Sequence, residues 1–147
     1  MAETGITRRT TTTASYHLTE VTLLDRSGIR FGDRGFELDP GRIEVRIPPG
    51  LNTKKDLLMV LDKGLRLPDY FGMNWDALNE TIRDLSWLPP GQIVLAHADL
   101  PLANDPTNQR KYLSIISDAV ARWMNEPDRD LLITFPLQYR KEVEQLR

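Results

Sequence analysis

Apolar and polar residues alternate with period two over Arg42-Ile43-Glu44-Val45-Arg46-Ile47, the pattern of a strand with one buried face. Pro48-Pro49-Gly50 ends it. A helical spacing follows, with Leu57, Val60, Leu61 and Leu65 on the inner side, Asn52 or Thr53 as cap, and Gly64 weakening the last turn. Pro68 biases Leu67 toward extended backbone, so that helix must end before it. A second helix is predicted from about Trp75 to Ser86, where Trp75, Leu78, Ile82 and Leu85 gather on one core-facing stripe. Pro89-Pro90-Gly91 then leads into Gln92-Ile93-Val94-Leu95-Ala96-His97, an apolar run typical of a strand covered on at least one face. Asp105-Pro106 reads as a cap followed by proline at the first helical position. That third helix turns Leu113, Ile116, Val120 and Trp123 inward and stops before Pro127. Leu131-Leu132-Ile133-Thr134-Phe135 is the last core strand, and the spacing of Tyr139, Val143 and Leu146 predicts an amphipathic C-terminal turn or helix. Strand, helices, strand, helix, strand specifies an α/β fold with a parallel sheet and right-handed crossovers.

The segments before and after this block differ in character. Residues 1–15 are polar and Thr-rich, and a disordered tail is expected there. Residues 16–40 read as a β-rich extension. Its short pieces Val21-Thr22-Leu23-Leu24, Ile29-Arg30-Phe31 and Phe36-Glu37-Leu38 are separated by Asp25-Arg26-Ser27-Gly28 and Gly32-Asp33-Arg34-Gly35, each ending in a glycine suited to a tight turn. A small antiparallel meander follows from that spacing, either extending the sheet edge or making a dimer contact. Residues 41–136 form the main domain and 137–147 a helical tail.

Composition removes several function classes. With 147 residues there is room for one domain with a proper core. A net charge of −2, without a basic stripe interleaved with aromatics, argues against direct nucleic-acid binding. There is no cysteine, hence no disulfide or thiolate metal site, which is compatible with the cytoplasm. No signal peptide or membrane span is visible, and Arg8-Arg9 is followed by threonines rather than an apolar run. His97 stands at the carboxyl end of a parallel strand, where α/β proteins often put chemistry. Only His17 accompanies it, so a two-histidine metal site is not supported, and His97 is read as an ordinary surface histidine. Asp76 and Glu80 form a carboxylate pair with no evident cleft to raise a pKa. No catalytic residue, metal or cofactor is therefore assigned.

The richest stretch is Leu67-Pro68-Asp69-Tyr70-Phe71-Gly72-Met73-Asn74-Trp75-Asp76-Ala77-Leu78. Gly72 is read as a bend position able to take φ > 0, Asn74 as an N-cap, and Asp76 as a first-turn charge favoured by the helix dipole. Asp76, Glu80 and Asp84 succeed each other at i,i+4, opposite the apolar stripe, with Arg83 among them and Asn79 at the border. Trp75 and Leu78 are expected to anchor the helix in the core. Such a row is either a solvated helix face or a surface presented to a partner. Tyr70 and Phe71, in a loop where exposed aromatics tend to bind something, speak for the second.

The runs Leu67-Pro68-Asp69-Tyr70-Phe71-Gly72 and Asn74-Trp75-Asp76-Ala77-Leu78 resemble the barstar family, intracellular inhibitors of secreted bacterial ribonucleases of the barnase type. The order of elements from about Arg42 to Phe135 supports the likeness. The resemblance implies three parallel strands in order 1-2-3 with helices stacked on the sheet. It also implies inhibition by occlusion, in which the second helix and the loop before it enter the ribonuclease active site. Tyr70 matches the loop aromatic that packs on the enzyme, Asp76 an acidic residue near the helix start, and Glu80 a central aspartate with one more methylene. Asp118, on the later helix, matches a further acidic contact. Asn79 stands where the best-known inhibitor has an aromatic, and Arg83 where a small polar residue is expected, so Asn79, Arg83 and Asp84 would tune which enzyme is accepted. A barstar fold serving a different, non-ribonuclease partner is the alternative.

Overall fold

The computed structural model describes residues 28–32, 36 and 38–146. Its elements are β1 (Gly28–Phe31), β2 (Ile43–Ile47), α1 (Lys54–Gly64), α2 (Trp75–Asp84), β3 (Gly91–His97), α3 (Pro106–Trp123), β4 (Arg129–Phe135), a 3-10 turn (Leu137–Tyr139) and α4 (Arg140–Leu146). The sheet has four strands in order β1-β4-β3-β2, every neighbouring pair parallel. The expected succession of three core strands is present as β2, β3 and β4. The correction concerns Ile29-Arg30-Phe31. Rather than belonging to an antiparallel meander, it pairs in parallel with β4, Ile29 opposite Ile133 and Phe31 opposite Phe135. Phe36 and Leu38 belong to no strand, and residues 1–15 and Val21–Leu24 lie outside the described residues.

Chain direction explains which face each connection covers. From β2 to β3 to β4 the chain moves steadily across the sheet, and right-handed crossovers then put α1, α2 and α3 on one face. On that face Val45, Ile47, Ile93, Leu95, Ile133 and Phe135 share a core with Leu57, Leu61, Leu78, Ile82 and Ile116, all buried. From β1 to β2 the chain moves the opposite way, so the same handedness calls for the other face. There the Asp39 N–H donates to Gln92 Oε1 at 2.8 Å. Phe36 and Leu38 line a cavity of about 600 Å³ with Val94, Ala96 and Thr134.

Local signals set most helix ends. Thr53 caps α1 by accepting from the Asp56 N–H at 3.1 Å, and Asp105 caps α3 ahead of Pro106. Gly64 does more than weaken its helix. A Cβ there would lie 2.5 Å from Val45 Cγ1, so glycine is what lets α1 close onto β2. The C-terminal spacing is realised in α4, whose Val143 is fully buried. No helix among the described residues is long and apolar enough to cross a membrane.

Candidate functional site

After α1 the chain turns sharply, with the Phe71 N–H donating to the Pro68 carbonyl at 2.8 Å. Phe71 turns half inward against the core, whereas Tyr70 is 80% exposed. A large aromatic held out on a short hydrogen-bonded turn gains nothing from the fold that presents it. Gly72 is not in the left-handed region; Met73 takes that conformation instead, at φ 52°. What Gly72 provides is room. The Asn74 amide donates to the Gly72 carbonyl at 3.1 Å, and a Cβ on residue 72 would sit 3.0 Å from that nitrogen.

Asn74 then caps α2, its Oδ1 accepting from the Ala77 N–H at 2.8 Å. Trp75, Leu78 and Ile82 face inward and are buried. The helix is pinned to α3 at both ends. Trp75 Nε1–H donates to Asn108 Oδ1 at 2.8 Å, and Asn108 is itself held by the capping carboxylate of Asp105 at 2.7 Å. At the other end Trp123 Nε1–H donates to the Ile82 carbonyl at 2.9 Å. Start meets start and end meets end, so α2 and α3 run in the same direction. Asn108 is the positioning residue that sequence reasoning missed, because nothing local links it to a tryptophan 33 residues earlier.

This clamp fixes what α2 shows to solvent. Asp76, Glu80, Arg83 and Asp84 are exposed and Asn79 is half-buried at the border. At about 100° per residue, Asp76, Glu80 and Arg83 fall within roughly 60° of arc, with Asp84 just beside them. Asp84 accepts a weak bond from Ser86 at 3.3 Å. Among the described residues, the side chains of Asp76, Glu80 and Arg83 make no hydrogen bond or ion pair. Tyr70 stands exposed on the loop that leads through Asn74 into α2, and the stripe lies on the helix itself. Asp118 is exposed on α3, and among the described residues no bond ties it to the stripe.

His97 corrects its expectation. It is 5% exposed, on the helix-covered side of the sheet, stacked on Phe135 at 4.1 Å. Its Nδ1–H donates to the Thr134 carbonyl at 3.0 Å, which leaves Nε2 to accept from the Tyr112 hydroxyl at 2.6 Å. Burial lowers its pKa from 6.5 to about 4, against the opposing pull of the backbone bonds, and burial likewise pushes the Tyr112 phenol up. A neutral, saturated imidazole is a core residue. Tyr112 also lies against Trp75, ring centroids 6.2 Å apart, so a buried column runs from the sheet to the start of α2. Among the described residues no cluster of His, Asp or Glu has the arrangement of a metal site.

A sequence model of the family described as Barstar (barnase inhibitor) matches residues 48–136, more than half of the chain, and spans the loop, α2, α3 and β4. No curated protein matches the chain.

Proposed function

The chain belongs to the Barstar family, and on that premise we propose that it is a stoichiometric inhibitor of a secreted ribonuclease, acting inside the cell that makes the enzyme. Its loop aromatic and the acidic stripe of α2 would occupy the cleft in which the enzyme binds RNA. The chain would do no chemistry of its own and need no cofactor. What most directly supports the reading is the state of Asp76 and Glu80, exposed and without an internal partner among the described residues, on the helix that follows the loop whose Tyr70 is 80% exposed.

The physics of occlusion follows from these groups. A ribonuclease cleft is cationic because its substrate is a chain of phosphates. Two carboxylates on one stripe, about 6 Å apart along the axis, offer anionic charge at a spacing near that of successive phosphates. Opposed charges speed encounter, and the gain shrinks with salt. The clamp through Asn74, Trp75 and Asn108 holds α2 before the partner arrives, so little order has to be imposed on binding. Tyr70 adds a rigid apolar contact with a polar tip, the kind of anchor that dominates many interfaces. Asn79, Asp84 and Asp118 would lie around this centre and adjust fit.

A different protein partner on the same surface is the alternative, favoured by Asn79 and Arg83 on a stripe otherwise suited to a cationic cleft. The two separate in one assay. The purified protein is mixed at micromolar concentration with a panel of secreted microbial ribonucleases, and RNA cleavage is followed. Inhibition at a one-to-one ratio, weakened by Glu80→Ala and Asp76→Asn more at low salt than at high, supports the ribonuclease reading. Absence of inhibition across the panel favours the other partner.

A further inference from the structure

Arg83 is the charge on the outer stripe of α2 whose sign opposes its neighbours. Along the axis the order is anion, anion, cation, at intervals of about 6 Å and then about 4.5 Å. Two other helical arginines find a carboxylate one turn further on. Arg122 pairs with Glu126 and Arg140 with Glu144, each at 3.5 Å. On α2, Arg83 stands three residues after Glu80 and one before Asp84, yet among the described residues its guanidinium pairs with neither. The stripe is left open with both signs on it.

That mixture constrains any partner. A cleft that was cationic throughout would attract Asp76 and Glu80 but repel Arg83, and a guanidinium desolvated without a counter-charge is strongly unfavourable. Resting on the ribonuclease reading above, we propose that Arg83 selects the target. The accepted enzyme carries cationic groups opposite Asp76 and Glu80 and, one helical turn further on, a carboxylate that receives Arg83. Such a group is at home in a nuclease cleft. Cleavage through the ribose 2′-hydroxyl needs a base to take its proton, and a carboxylate can serve. A guanidinium meets a carboxylate with two parallel N–H donors, so the pairing discriminates by geometry as well as by charge. The rival use of Arg83 is purely local. In the last turn of α2 it complements the helix dipole, which would affect folding and not partner choice.

The experiment takes the ribonuclease that the wild-type protein inhibits and measures inhibition constants for Arg83→Ala, Arg83→Glu and, as control, Glu80→Gln, after thermal melts have verified folding. Arg83→Ala is expected to weaken inhibition by at least about tenfold, as when one partner of a desolvated ion pair is lost, and Arg83→Glu further. Neutralising the cleft carboxylates of the enzyme one at a time, with binding read as a dissociation constant because loss of the catalytic base silences cleavage, should identify one whose loss abolishes the difference between wild type and Arg83→Ala. If Arg83→Ala inhibits as well as wild type or better while Glu80→Gln is impaired, the assignment to Arg83 is wrong and the ribonuclease reading survives. If no ribonuclease is inhibited by the wild type, that reading fails and this inference goes with it.

Discussion

Mild acid should destabilise this protein through His97. The folded state holds the imidazole neutral, with its pKa lowered by burial to about 4, whereas the unfolded chain takes up a proton near 6.5. At about 1.4 kcal/mol for each tenfold change in the proton equilibrium, that gap corresponds to about 3 kcal/mol. The sign follows from which state binds the proton first. Above about pH 6.5 both states are neutral at this position and the contribution is complete. As pH falls from there toward about 4, the unfolded chain is protonated and the folded one is not, so stability declines by about 1.4 kcal/mol per pH unit. Below about 4 the folded imidazole is charged too and the decline from this residue ends. Three kilocalories is a large share of the 5–15 kcal/mol typical of a domain, roughly a fifth or more. The assay is urea denaturation at steps from about pH 7.5 to about pH 4.5, for wild type and His97→Gln side by side. Carboxylates titrate at the acid end in both proteins, so the difference between the two curves isolates the histidine. Wild type should lose about 2.5 kcal/mol more than the variant across the window, the rest of the decline lying below about pH 4.5. Parallel curves would mean that His97 titrates normally, and the buried Tyr112–His97–Thr134 column would then be wrongly described.

The remaining predictions concern the scaffold that carries α2. Trp75→Ala should cost about 3–5 kcal/mol in a denaturant titration, because it leaves a cavity and strips Asn108 of its donor; a variant as stable as wild type would put Trp75 on the outer face. Asn74→Ala removes the cap bond to Ala77 and should lower stability by about 1 kcal/mol, with faster amide exchange confined to the first turn of α2. Gly64→Ala should destabilise by about 1–3 kcal/mol even though alanine favours helix, since its Cβ would press on Val45. A rise in melting temperature would show that α1 and β2 have slack between them.

The loop and α2 were the most legible part of the chain. Asn74, Asp76 and the run of Trp75, Leu78 and Ile82 lie within a few residues of one another, and a helix with a cap and two faces is a short-range object. The same holds for β2, whose alternation assigns Val45 and Ile47 to the core, and for Pro106 at the start of α3. Gly72 stands in the bend for its room rather than for its φ. Glycine at a turn suggests positive φ, but the neighbouring Met73 adopts it, and the space for the Asn74 amide is visible only with coordinates. The burial of His97 is not legible locally, because a strand end can lie at the surface or beneath a helix, and only the packing of α3 decides which.

From the sequence alone come the order of elements, the turn that holds Tyr70 outward and the anionic stripe that Arg83 interrupts, since periodicity, caps and prolines act over a turn or two. Contacts between distant residues settled the rest. Strand β1 joins β4 across a hundred residues, Asn108 fixes the start of α2, Gly64 admits Val45, and Tyr112 buries His97. No local pattern encodes such pairings, because each depends on what the folded chain brings alongside.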